Sequence, residues 1–179
     1  MTEVFRKSFT QQEPIPDEGI EAALAVLRHG RLHRYNLAPG EAGETALLEE
    51  EFAAFTGARY CLAVASGGYA LATALRALEV GPGTKVLANA FTLAPVPGAV
   101  ASVGGEVVLV EITDDLVIDI DDLATKAKAT GARVLMLSHL RGHVCEMDRL
   151  MALCRDLGVT VVEDCAHTMG ATWAGRKSG

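Results

Sequence analysis

The first regular pattern along the chain follows Pro16-Asp17. Ile20, Ala23, Leu24 and Leu27 recur at the three- and four-residue spacing of one helical face, and Gly30 ends the run. Residues 31–43 carry Pro39, Gly40 and Gly43 and read as a loop. A second helix is predicted from about Glu44 to Phe55, stopped by Gly57. From Arg59 the rhythm changes. Apolar runs at Tyr60–Ala65, Lys85–Asn89, Glu106–Val110, Val134–Ser138 and Val159–Glu163 alternate with helical stretches at about Gly68–Glu79, Thr92–Val103, Asp119–Lys128 and Met147–Leu157. Short Val-rich runs separated by helices predict parallel strands joined by right-handed crossovers. The expected fold class is α/β, a mostly parallel sheet with helices on both faces. Gly81-Pro82-Gly83, Gly104-Gly105 and Gly158 mark the joints, and no internal repeat interrupts the series. The expected organisation is an N-terminal helical segment over residues 1–57 and an α/β domain over residues 58–179.

Composition supports that picture. A chain of 179 residues suits one α/β domain, and 50% hydrophobic with only 5% aromatic residues suits buried parallel strands. A net charge of −7 offers no general positive field, so nucleic acid is not an expected partner, whereas a local pocket for one phosphate is compatible with it. Cys61, Cys145, Cys154 and Cys165 form no CxxC pair and read as reduced thiols. The N-terminus has no signal-like apolar run and no window is long enough to cross a bilayer, so the expectation is a soluble, cytoplasmic protein with no membrane partner.

In an open parallel sheet, ligands sit beyond the carboxyl ends of the strands. Ser66-Gly67-Gly68 follows the first apolar run and opens a helix, where free backbone N–H groups and the helix dipole favour an anion. The spacing is not GxGxxG, and Ala88-Asn89-Ala90 stands where a dinucleotide site would place its ribose-binding acid. A nicotinamide-binding domain is therefore disfavoured, and a site for a single phosphate group remains. The last run ends in Glu163-Asp164-Cys165-Ala166-His167, at the same expected edge. An aspartate there suits pyridoxal chemistry, in which a carboxylate keeps the ring nitrogen protonated. His139, His143 and Cys145 are possible metal ligands by type, but HxxxH joins one face only in a helix, and Gly142 predicts a turn. No metal is expected, and His139 is expected to line the cofactor pocket.

The order and spacing of several motifs resemble the pyridoxal-phosphate-dependent sugar aminotransferases that make amino sugars. They are Ser66-Gly67-Gly68 with Ala70-Leu71, Gly81-Pro82-Gly83, Phe91-Thr92, His139-Leu140-Arg141-Gly142, Met147-Asp148, and Glu163 to His167 with Gly170-Ala171. The resemblance implies a type I aminotransferase fold whose homodimer interface builds the active site, with pyridoxal 5'-phosphate as cofactor and pyridoxamine phosphate as intermediate. It implies Asp164 on the pyridine nitrogen, Ser66, Gly67 and Gly68 at the phosphate, Phe91 or Leu93 against the ring, and His167, where the family often has Gln, on the phenolic oxygen. It implies transfer of an amino group, expected from glutamate, to a keto sugar expected to be nucleotide-linked. Gly68 replaces the family's usual Thr, and Leu93 replaces its usual aromatic residue. None of the five lysines, Lys7, Lys85, Lys126, Lys128 and Lys177, stands where the family places its Schiff-base lysine, which lies beyond Gly170–Gly179. The chain alone is therefore expected to be inactive. Relatives that dehydrate sugars with a His in that place, and a non-catalytic cofactor-binding domain, are the alternatives.

Overall fold

The computed structural model describes residues 12–35 and 37–179; Lys7 lies outside them. The chain divides into two compact units, residues 1–48 and 49–179.

The first unit contains α1 (Asp17–His29) and the start of α2 (Glu44–Thr56). Gly30 closes α1 in the left-handed conformation at φ 71°, its N–H returning to the Val26 carbonyl, the capping that glycine adopts without a Cβ clash.

In the second unit the order is α3 (Gly67–Ala77), β1 (Lys85–Asn89), α4 (Pro95–Ser102), β2 (Glu106–Val110), α5 (Ile120–Thr130), β3 (Val134–Ser138), α6 (Met147–Leu157) and β4 (Thr160–Asp164). A small hairpin, β5 (Thr172–Trp173) with β6 (Arg176–Lys177), follows. The four main strands are all parallel, in the order β2-β1-β3-β4. The chain steps one way from β1 to β2, then crosses back to β3 and continues to β4. Right-handed crossovers require the covering helix to change face when the direction reverses. The packing shows this change. Leu71 and Leu75 of α3 and Val96 and Val100 of α4 pack with Val86, Ala88, Val134 and Met136 on one face. Leu123 and Ala127 of α5 and Leu150 and Cys154 of α6 pack with Leu87, Leu135 and Leu137 on the other. Every residue of β3 is buried, which explains why Val-Leu-Met-Leu reads as an unbroken apolar run instead of an alternating one.

The expected strand at Tyr60–Ala65 is not formed. Residues 61–64 are irregular, and Tyr60 and Leu62 are 76% and 60% exposed. Apolar spacing makes a segment able to bury a face, but a strand also needs a neighbour for its N–H and C=O groups, and this run pairs with none among the described residues. The helix expected from Thr92 begins only at Pro95. Pro95 and Pro97 have no N–H to donate to the carbonyls of Phe91 and Leu93, so the i→i−4 ladder has no earlier start. Phe91 and Leu93 therefore fall in the turn that leaves β1. β4 lies one residue later than expected, so Asp164 ends the strand instead of following it. The hairpin was not expected either; Ala174 and Gly175 both have positive φ, the turn that suits a two-residue hairpin connection.

The Gly104-Gly105 joint is a matter of packing against the Gly81-Pro82-Gly83 turn and its neighbours. A Cβ on Gly104 would meet the Pro82 ring at 3.2 Å, and one on Gly105 would meet Val80 and Val100 at 3.0 Å.

Candidate active site

A reversal of crossover direction opens a crevice between β1 and β3 at their carboxyl ends, the place where open α/β sheets bind ligands. Two polar residues end those strands, Asn89 and Ser138, and both are buried. The β1–β3 pairing stops at Ala88 and Met136. Beyond it the Asn89 side chain stands in for backbone: Oδ1 accepts from the Ser138 N–H at 2.9 Å, and Nδ2 donates to the Ser138 carbonyl at 3.1 Å. Nδ2 also donates to the Phe91 carbonyl at 2.8 Å, which fixes the turn leaving β1.

Ser138 and Asp164 are partners in the β3–β4 register, so their side chains share a face. Ser138 Oγ donates to Asp164 Oδ2 at 3.1 Å, and the Ala166 N–H donates to Oδ1 at 3.2 Å. Each carboxylate oxygen thus has one donor and keeps a further lone pair for a ligand.

Glu163 points the opposite way along the strand. His139 Nε2 lies 2.8 Å from its Oε2, and the His139 ring is only 1% exposed. His139, expected to line the cofactor pocket, has its ring bonded to Glu163, which faces the side opposite Asp164 because alternate residues of a strand do. The hydrogen bond from His139 holds the Glu163 carboxyl below its ordinary value, against burial, which pushes it up. A carboxyl depressed in the native state contributes stability that is complete above the ordinary value, near 4.5, and is lost as pH falls through the native value. Wild-type protein is therefore expected to lose more unfolding free energy between pH 6 and pH 3.5 than Glu163→Gln does. Urea denaturation at both pH values measures this, and equal losses would show that the pair contributes nothing.

His139, Glu163 and Cys165 bring three metal-ligating atoms within 4.8 Å of one another, a set different from His139, His143 and Cys145. His139 and Glu163 are bonded to each other, and burial pushes the Cys165 thiol up.

His167 is exposed, and its Nδ1 accepts from the Arg141 backbone N–H at 3.1 Å. An accepting Nδ1 leaves the proton of the neutral ring on Nε2, so the outward nitrogen is a donor. Arg141 makes this contact from a left-handed conformation, φ 59°, beside Gly142. The turn glycine expected in this segment is present, and the strained residue precedes it.

Ser66 caps α3, its side chain accepting from the Tyr69 N–H at 3.2 Å. Gly67 and Gly68 occupy the first turn, where N–H groups have no partner within the helix. Neither has a positive φ, and a Cβ on either would meet nothing within 4 Å. Neither backbone geometry nor packing among the described residues requires glycine there. The short connection of residues 78–84 returns the carboxyl end of α3 to the start of β1, so α3 runs back along the sheet and directs its N-terminus toward the carboxyl edge. In the turn after β1, Leu93 is 52% exposed, Phe91 is half-buried, and the Thr92 hydroxyl is buried without a partner. Among the described lysines, Lys85 begins β1 at the opposite edge, Lys126 pairs with Asp122, and Lys177 bonds the Phe55 carbonyl beneath its own ring contact.

The fold defines an open parallel α/β domain with a polar network at its topological switch point. Residues 15–179 match the DegT/DnrJ/EryC1/StrS aminotransferase family, and the chain belongs to that family. It is 38% identical over 137 residues to 3-amino-5-hydroxybenzoate synthase of Amycolatopsis mediterranei, covering 76% of this chain and 35% of that protein. It is 34% identical over 169 residues to UDP-2-acetamido-2-deoxy-3-oxo-D-glucuronate aminotransferase of Pseudomonas aeruginosa, covering 94% and 45%. The chain thus spans less than half the length of these relatives. The crystal structure of 3-amino-5-hydroxybenzoic acid synthase superposes with a TM-score of 0.84 at 31% identity, over 95% of this chain and 43% of that one. The fold is that of the pyridoxal-phosphate aminotransferases, and a similar Streptococcus pneumoniae protein, 28% identical, is known in PLP and PMP forms.

Sequence reasoning missed the link from Asn89 through Ser138 to Asp164. Its only signal was that two apolar runs, Val-Leu-Ala-Asn and Val-Leu-Met-Leu-Ser, end on a polar residue.

Proposed function

We propose that this chain is the cofactor-binding part of a pyridoxal-phosphate enzyme that transfers an amino group, from glutamate, to a nucleotide-linked keto sugar. The observation that carries the reading is the Asp164 carboxylate, ordered at the end of β4 by Ser138 and the Ala166 N–H. When bound, pyridoxal phosphate supplies a ring that withdraws electrons so long as its nitrogen is protonated. Asp164 holds the proton at that nitrogen. The Gly67 and Gly68 N–H groups, with the Ser66 hydroxyl, bind the phosphate at the positive end of α3. His167 donates Nε2–H to the phenolic oxygen, an orientation that the Arg141 N–H fixes. Leu93 or Phe91 covers the ring and excludes water. His139 positions this edge from behind, through Glu163. The Schiff-base lysine, and the second subunit of a homodimer, come from outside the described chain. The α/β domain is assigned to residues 58–179, the helical segment to residues 1–57, and the compartment to the cytoplasm.

Relatives whose names specify UDP-, dTDP- and GDP-linked sugars or their products supply the substrate panel. The natural-length protein, supplied with pyridoxal phosphate, is expected to convert glutamate to 2-oxoglutarate over many turnovers only in the presence of a keto sugar from one of these nucleotide-linked classes, which gains an amino group by mass spectrometry. Glutamate untouched across the panel would overturn the reading. A sugar that loses a hydroxyl without gaining nitrogen would select the dehydratase instead.

A further inference from the structure

We infer that Ser138, held in place by Asn89, is a positioning residue that sets the direction of the Asp164 carboxylate toward the cofactor's ring nitrogen. This rests on the reading that Asp164 faces that nitrogen. Ser138 is the only polar residue of β3 and is 7% exposed, so its hydroxyl needs an internal partner, and its partner is Asp164 Oδ2 at 3.1 Å. A serine side chain steers a carboxylate only if its own backbone is immobile. The regular pairing of β1 with β3 ends two residues before Ser138, which would leave its peptide groups loose. Asn89 closes that gap by bonding both the N–H and the carbonyl of Ser138.

The geometry then has a direct consequence for the carboxylate. Oδ1 is fixed by the Ala166 N–H and Oδ2 by Ser138 Oγ, so rotation about the Cβ–Cγ bond would break both contacts. Without Ser138 Oγ only the Ala166 contact remains, and the carboxylate plane swings about it. A charge-assisted hydrogen bond of this kind is worth roughly tenfold in an equilibrium or more. Its effect falls on the protonated ring, whose nitrogen the carboxylate must meet in line, and much less on sugar binding.

The test compares Ser138→Ala, Ser138→Thr and Asp164→Asn in the natural-length protein. Three readouts are taken: kcat and KM, the pH dependence of the bound cofactor's absorbance, and the affinity of the apoprotein for pyridoxamine phosphate. Ser138→Ala is expected to lower kcat about tenfold with little change in KM, weaken pyridoxamine phosphate binding several-fold and displace the absorbance–pH curve. Ser138→Thr keeps the hydroxyl and is expected to restore all three. If Ser138→Ala folds poorly, Ser138→Cys, with similar volume and a weak donor, replaces it and is expected to fall between the two. A wild-type absorbance–pH curve in Ser138→Ala, or a threonine variant no better than alanine, overturns the positioning role. Wild-type activity and absorbance in Asp164→Asn would instead overturn the underlying assignment of Asp164, whatever Ser138 does.

Discussion

Asp164→Asn is expected to reduce amino transfer by roughly three powers of ten while the protein remains folded and binds its cofactor. The loss is electrostatic. Two unit charges about 4 Å apart near a protein surface interact by about 4 kcal/mol, and each 1.4 kcal/mol is a factor of about ten in rate. An amide cannot balance a pyridinium charge, so that interaction disappears. The fold is spared because the amide can satisfy the same neighbours: its oxygen can accept from the Ala166 N–H, and its NH2 can donate to Ser138 Oγ once the hydroxyl rotates to accept. Steady-state rates, circular dichroism and bound cofactor are measured together on the natural-length protein. Turnover within about tenfold of wild type would remove Asp164 from the ring nitrogen.

Asn89→Ala is expected to destabilise the fold by about 3–5 kcal/mol, the largest effect of any single polar substitution in the network. Three hydrogen bonds vanish, to the Ser138 N–H, the Ser138 carbonyl and the Phe91 carbonyl. Asn89 is 2% exposed, so water does not replace them without opening the sheet. Each buried group left without a partner costs about 1–3 kcal/mol. Asn89→Asp should be at least as damaging despite its similar shape, because it aims a carboxylate at two carbonyl oxygens. Urea unfolding should show a lower midpoint with an unchanged slope. A change under about 0.5 kcal/mol would mean that the crevice admits solvent at this depth.

Much of the sheet was legible because each of its four parallel strands is a short, mostly apolar run set between helices. Lys85–Asn89, Glu106–Val110 and Val134–Ser138 appear at their expected limits. Tyr60–Ala65 has the same local pattern and no strand, which separates the two requirements: local pattern supplies a buried face, and only the fold supplies a neighbour. Asp164 was legible from its place at the end of a run. Its connection to Ser138 and Asn89 was not, because it depends on β1 lying beside β3, a juxtaposition created by the reversal of the crossovers. The partner of His139 was not legible for the complementary reason. A residue following a strand has an edge position legible in the sequence, but the bond its ring makes to Glu163 depends on β3 lying beside β4, where Glu163 stands opposite Leu137.

Among the described residues β4 has a neighbour on one side only, and this makes it a template as well as a wall. An outer strand edge can recruit an extended segment, and Val161 and Val162 in the middle of β4 are only half-buried, each packed against the core on its own face. The charges of Glu163 and Asp164 at its end oppose stacking of identical strands, so the same carboxylates that order the polar edge also act as gatekeepers against self-association. Substitutions that neutralise them therefore carry a colloidal penalty distinct from any catalytic one: turbidity that rises with protein concentration and falls when net negative charge is restored elsewhere on the surface.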